Sequence, residues 1–306
     1  MSRLLVTGAS GLLGLTLCLE AAARRTTVTG LTHGEPLHGV PFEVIPVELA
    51  QPGEFARAFE AARPDAVVHC AALAVIDACE QQPDLSRRLN AELPAEIAGV
   101  CARHSVPLAH ISTDAVFDGL RGGYTELDTP HPQSRYAQDK AASEQGVAEA
   151  YPAAVVARVN FYGWSLSGRR SLAEFFYANL SEGQRVNGFT DVLFCPLLVN
   201  DLANLLLEML SRGLSGLYHV LSRESQSKYA FGVALARKFG LDETLITPVS
   251  VAEGGLAARR SPNLTLRVEK LEAALGRALP GQAEGLERLA QLHASGYPVR
   301  LKEIGR

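Results

Sequence analysis

Short apolar runs alternate with longer segments of helical periodicity through the first part of the chain. The runs RLLVTGA (3–9), TTVTGL (26–31), FEVIPV (42–47), DAVVHC (65–70), VPLAHIS (106–112) and AAVVARV (153–159) read as strands. Stretches 12–24, 54–62, 84–103 and 134–150 read as the helices between them. QPGEF opens one helix with a breaker, and Pro83 stands at the start of another. Alternation of this kind predicts βαβ crossovers and a mostly parallel sheet covered on both faces. Past residue 160 the rhythm loosens. Helices are expected at 170–182, 199–210, 227–239 and 282–294, with strand-like pieces such as GLYHV (216–220) between them. That region reads as a smaller lobe added to the sheet.

Composition narrows the class. The 306 residues are 47% hydrophobic and 20% charged, ample for a packed core. A net charge of −4 gives no basic footprint for nucleic acid. The five cysteines, Cys18, Cys70, Cys79, Cys101 and Cys195, show neither a C-x-x-C pair nor a disulfide framework. No His/Cys/Asp cluster has metal-ligand spacing, so no metal is expected. The start MSRLLVTGAS lacks a signal-peptide core, and no apolar run approaches the ~20 residues of a membrane span. The expectation is a soluble cytoplasmic protein.

VTGASGLLG places Gly8, Gly11 and Gly14 directly after a buried-looking strand and at the start of a helix. Such glycines permit a tight turn, close approach to a pyrophosphate, and close packing of helix on strand. With Ser10, Leu12 and Leu13 they form the expected dinucleotide-binding turn, and the helix N-terminus favours an anion. The fold is therefore α/β, a Rossmann-type doubly wound parallel sheet. Residues 1–160 would form the NAD(P)-binding domain. Residues 161–306 would form mainly a substrate-binding lobe, with some segments returning to the sheet. At the end of the second strand, Thr32 and His33 stand where an acid would hold the ribose 2′-hydroxyl of NAD, and Glu35 lies beyond a glycine. That favours NADP(H), with NAD(H) still open. Glu48, ending the third strand, is a candidate acceptor for the adenine amino group.

The strand 106–112 runs into STDAVFDG (112–119), ending with Thr113 at the carboxyl edge of the sheet, where α/β folds bind ligands. In SRYAQDKAASEQ (134–145), Tyr136 and Lys140 share a helix face. A nearby ammonium favours the phenolate form of tyrosine. His69 and His110 sit in or near apolar strands and read as satisfied core residues. The aromatics of EFFYANL (174–180) fall at helical spacing and read as core.

Together, the glycine loop, the Thr-Asp segment and the Tyr/Lys helix resemble the extended short-chain dehydrogenase/reductase family. Its dTDP-4-dehydrorhamnose reductase branch carries S-T-D-x-V-F-D-G and Y-x-x-x-K. The resemblance continues through residues 67–98, 195–210, 216–225 and 228–242. It implies that Tyr136 protonates a carbonyl oxygen as hydride arrives from a nicotinamide, and that Thr113 hydrogen-bonds the same oxygen. Lys140 would hold the nicotinamide ribose and depress the tyrosine pKa. Cys70, Ala71 and Ala72 would lie along the cofactor, and Asn90 matches a family asparagine. Asp114, Val116, Asn160, Trp164 and Arg260 are the substrate-side candidates.

The implied partner is a small molecule, a nucleotide-linked 4-keto sugar, with neither nucleic acid nor membrane. A homodimer is compatible with the resemblance. Departures bear on the substrate. Ala115 stands where the branch has tyrosine, and DVLFCPLLV (191–199) puts Val192, Phe194 and Leu197 in place of polar neighbours. A more apolar pocket is expected, which weakens a thymidine-linked assignment. Dehydratases resemble this segment but follow Thr-Asp with Glu, which is missing. The alternatives are a nucleotide-sugar epimerase, or a non-catalytic partner protein resembling the regulatory subunit of methionine adenosyltransferase.

Overall fold

The structure, a computed structural model, describes residues 1–34, 37–252 and 261–304. Six strands come from the first half: β1 (Arg3–Thr7), β2 (Thr27–Thr32), β3 (Glu43–Pro46), β4 (Ala66–His69), β5 (Leu108–Thr113) and β6 (Val155–Val159). A seventh, Gly216–Val220, adds at the edge beside β6. The sheet order is (216–220)–β6–β5–β4–β1–β2–β3, and every pairing within it is parallel. Strands buried on both faces explain the continuous apolar runs: in β4 every residue is buried.

The order reverses between β1 and β4. Strands 1 to 3 wind one way and strands 4 to 6 the other, so the connections leaving β1 and β4 part and open a crevice at their carboxyl ends. Helix α1 (Leu12–Ala23) starts at that crevice. It approaches the preceding turn so closely that a Cβ on Gly14 would fall 2.2 Å from the Gly8 carbonyl oxygen.

The helix expected over 84–103 is in fact broken. After α2 (Glu54–Ala62), two short helices, α3 (Ile76–Gln81) and α4 (Pro83–Arg87), lead into a π-helical turn at Arg88–Glu92, and α5 (Leu93–Arg103) follows. Pro94 accounts for the break. Its ring would crowd the carbonyl four residues back in a regular α-helix. The wider turn, in which Leu93 N–H reaches Arg88 O, relieves that clash. Further on come α6 (Arg135–Ala150), α7 (Leu172–Ser181), α8 (Val199–Ser211) and α9 (Lys228–Phe239). One apolar cluster joins Leu13 and Leu17 of α1 to Leu202, Leu206 and Met209 of α8. A second, built on Phe176, Phe231 and Leu235, lies beneath α7 and α9. Among the described residues no helix is long and apolar enough to cross a membrane.

Candidate active site

A cavity of 740 Å³ lies over the carboxyl ends of the central strands. Its wall collects the whole glycine turn (Gly8, Ser10, Gly11, Leu12, Leu13, Gly14), Thr32, His33 and Glu48, and Cys70, Ala71 and Ala72. The same wall holds Thr113, Asp114, Tyr136, Lys140 and Asn160.

The residues at the glycine turn fit a dinucleotide. Gly8 has φ +67°, and a Cβ there would lie 2.8 Å from the Ala71 backbone. Helix α1 has no side-chain cap and no acid in its first turn, so its leading N–H groups are left for an anion. Thr32 Oγ1 is buried, has no hydrogen-bond partner among the described residues and belongs to a cavity-lining residue. Glu48, the candidate acceptor for the adenine amino group, lines the cavity with both carboxylate oxygens in contact with protein groups. One carboxylate oxygen takes His33 Nε2 at 2.9 Å and the other accepts the Ala50 N–H at 3.1 Å.

Thr113 is the last residue of β5, and its Oγ1 accepts the Ala115 N–H at 3.2 Å, capping a short turn over Asp114–Val116. Its own hydroxyl donates to Asp114 Oδ1 at 3.2 Å. Tyr136 sits in the first turn of α6, a helix capped by Ser134, and its phenol is within hydrogen-bonding reach of Thr113. Lys140 follows one turn later. Its ammonium donates to Ile111 O at 2.6 Å and meets His110 Nε2 at 3.3 Å. The expected depression of the tyrosine pKa by Lys140 is therefore not what the geometry produces. Burial pushes the phenol further up, as does the charge of Asp114, while the ammonium donates to β5. Burial lowers Lys140 itself to about 8, opposed by Glu144 and Cys70.

Behind Lys140 a polar row crosses the sheet. Thr7, His69 and His110 stand in register on β1, β4 and β5. His69 Nδ1 meets Thr7 Oγ1 at 2.7 Å, and that oxygen accepts the Ala71 N–H at 3.1 Å. These histidines are only half satisfied, against expectation: among the described residues His69 Nε2 and His110 Nδ1 are buried without a partner. Burial holds both neutral, His69 lowered to about 3 and His110 well below its usual range.

Several candidates fall elsewhere. Asn90 is buried in the π-helical turn and clasps the cofactor-side loop, exchanging two 3.0 Å bonds with the Leu73 backbone, without lining the cavity. Val116 is fully buried in the main core. Trp164 packs edge-on against Tyr177 and Phe239 and donates to Leu289 O at 3.2 Å. Both side chains are apolar enough for burial to outbid the site. In EFFYANL, Phe176 is core while Phe175 is exposed. Val192, Phe194 and Leu197 are buried and absent from the cavity wall, so the apolar stretch 191–199 serves the core and does not make the pocket apolar. Arg260 lies outside the described residues.

Sequence reasoning missed Arg170, Phe161, Leu85 and Leu89, all on the wall. Arg170 had a faint signal: an arginine in SGRRS, in the connection leaving β6, just before the Ser171 cap of α7.

The profile of the RmlD substrate binding domain matches residues 2–294. A probable low-salt glycan biosynthesis reductase, Agl14, of Haloferax volcanii is 31% identical, the alignment covering 93% of this chain and 96% of that protein. A dTDP-4-dehydrorhamnose reductase of Mycobacterium tuberculosis is also 31% identical, over 85% and 83% of the two chains. Among solved structures, dTDP-4-dehydrorhamnose reductase from Bacillus anthracis in complex with NADP superposes with a TM-score of 0.82 at 26% identity, covering 95% of this chain and 99% of that one. The chain belongs to the RmlD substrate binding domain family, within the extended short-chain dehydrogenases/reductases.

Proposed function

We propose that this chain is an NADP(H)-dependent reductase of a nucleotide-linked 4-keto sugar. One observation carries the reading: Thr113, Tyr136 and Lys140 share the wall of a cavity whose far end is an uncapped glycine turn suited to a pyrophosphate. A bound nicotinamide would supply the hydride. Tyr136 would give its proton to the carbonyl oxygen, Thr113 would steady the developing alkoxide, and Lys140 would hold the nicotinamide ribose.

The solved relative in complex with NADP supports the choice of cofactor, and the reductase names of the relatives support the reaction class. The objection to a thymidine-linked sugar drawn from 191–199 lapses, because those side chains do not face the cavity. A partner protein that only holds cofactor would have no use for a phenol, an alcohol and an ammonium gathered on one wall.

NADPH oxidation against a panel of nucleotide-linked 4-keto sugars, wild type beside Tyr136→Phe, tests the reading. The variant should bind cofactor as tightly as wild type and turn over about 10²–10⁴-fold more slowly. Equal turnover would remove Tyr136 as the acid.

A further inference from the structure

We propose that Asp114 gates the reduction: only when its carboxyl is protonated does Thr113 turn its hydroxyl hydrogen to the substrate's carbonyl oxygen. The inference rests on the reductase reading and assigns its regulation to one residue.

The argument is a count of hydrogens. Thr113 Oγ1 has one hydrogen and two lone pairs. The Ala115 N–H takes a lone pair at 3.2 Å, and the hydrogen goes to Asp114 Oδ1 at 3.2 Å. Asp114 Oδ2 accepts from Asn160 Nδ2 at 2.6 Å. An ionised Asp114 only accepts, so it holds the single hydrogen of Thr113 against the Tyr136 phenol, which is also in reach, and a substrate oxygen arriving there meets a lone pair. A protonated Asp114 donates its own O–H to Thr113 Oγ1 and frees the threonine hydrogen for that oxygen. The proton stays on Asp114 throughout, so nothing is consumed.

A second effect has the same sign. The Asp114 charge raises the pKa of Tyr136, so neutralising it makes the phenol a better acid.

The position suits a gate. Asp114 is 3% exposed yet lines the cavity. Facing it are Tyr136 from α6, Asn160 after β6, Cys195, and Lys228 at the start of α9, whose charge favours the ionised form. Burial outweighs Lys228 and the hydrogen bonds and lifts the carboxyl to about 6. The switch therefore lies within a range of pH that cells visit.

Two measurements on the full chain decide the matter. Carbon NMR of aspartate-labelled protein, with the Asp114 carboxyl identified by its loss in Asp114→Asn, should show titration near 6. A titration in the ordinary carboxylate range near ~4 overturns the gate even if no substrate is ever turned over. In turnover, wild-type kcat/KM should fall by about tenfold per pH unit above the titration point. Asp114→Asn, whose amide donates permanently to Thr113, should flatten that limb, so that its kcat/KM relative to wild type rises with pH. Lys228→Met should move the limb to higher pH. An Asp114→Asn enzyme that keeps the wild-type limb, or is equally inactive at every pH while still binding NADPH, refutes the proposal. Absence of wild-type turnover with every keto sugar would instead defeat the reductase reading, and the NMR titration would still judge the gate.

Discussion

Lys140 Nζ lies 3.3 Å from His110 Nε2, an ammonium held against a neutral imidazole beneath the cavity floor. The same ammonium donates to Ile111 O at 2.6 Å, so two groups of β5 hold it. Keeping a charge there costs stability. Burial lowers the folded pKa to about 8 from a reference of 10.5. For a base with a depressed folded pKa, the penalty is full below 8 and is relieved as pH rises towards the unfolded value. Lys140→Met removes this titration. The unfolding free energy of cofactor-free wild type should therefore gain on that of Lys140→Met by about 3 kcal/mol between pH 8 and 10.5. Denaturant titrations across that range check it, and a pH-independent difference would show that the lysine is not perturbed.

Arg158 and Glu144 anchor α6, the helix that carries Tyr136 and Lys140. The guanidinium is 2% exposed and gives bonds of 2.9 and 2.7 Å to the carboxylate, joining β6 to the middle of α6. Ser112 adds a 2.5 Å bond to the same carboxylate, and Phe117 lies under the guanidinium at 4.8 Å. Removing one partner strands a buried charge, so Arg158→Met should cost about 3–5 kcal/mol in chemical unfolding. Arg158→Met with Glu144→Leu should recover most of that loss. Because the charge of Glu144 also holds the Lys140 pKa up, Glu144→Gln should lower the lysine further.

The parts legible in the sequence are those where one local force decides. Parallel strands buried on both faces must be apolar throughout, so β1 to β6 stand out. A glycine turn before a helix has one steric solution, and Gly8 and Gly14 occupy it. Thr113, Tyr136 and Lys140 are placed by strand end and helix period.

What stayed hidden depends on tertiary choice. Nothing local says that Pro94 widens the turn before it and puts Asn90 behind the cavity wall. Val116 and Trp164 sit in suggestive segments, but their apolar area belongs to the cores. The partner of Thr113 is its own neighbour Asp114, a contact fixed by the turn over 114–116 and invisible to spacing.

Glu48 is the wall carboxylate that a 2′-phosphate would meet if the adenosine ribose lies at the end of β2. It holds His33 at 2.9 Å beside the end of β2, both side chains partly open to solvent. A carboxylate there opposes a 2′-phosphate and can accept from a 2′-hydroxyl. Glu48→Gln should tighten NADPH relative to NADH by about tenfold, ~1.4 kcal/mol. Fluorescence titration with both nucleotides reads the ratio, and an unchanged ratio would place the adenosine ribose elsewhere.

Arg170 is the side chain on the wall best suited to an anionic substrate arm. Among the described residues its guanidinium has no partner, and only its backbone N–H is used, donating to Glu174 Oε2 at 2.8 Å. The glycine turn lies at the start of α1, whereas Arg170 precedes α7, and both line the cavity. A diphosphate-linked sugar entering past Asn160 would meet this cation, and Arg presents a planar fork that fits phosphate oxygens. Arg170→Met should raise KM for the nucleotide-linked substrate by about tenfold, the scale of one partly exposed charge-assisted contact, with kcat little changed. NADPH affinity should not move. A variant that loses NADPH affinity instead would reassign Arg170 to the cofactor, and one with an unaltered KM would leave the anionic arm to another part of the lobe.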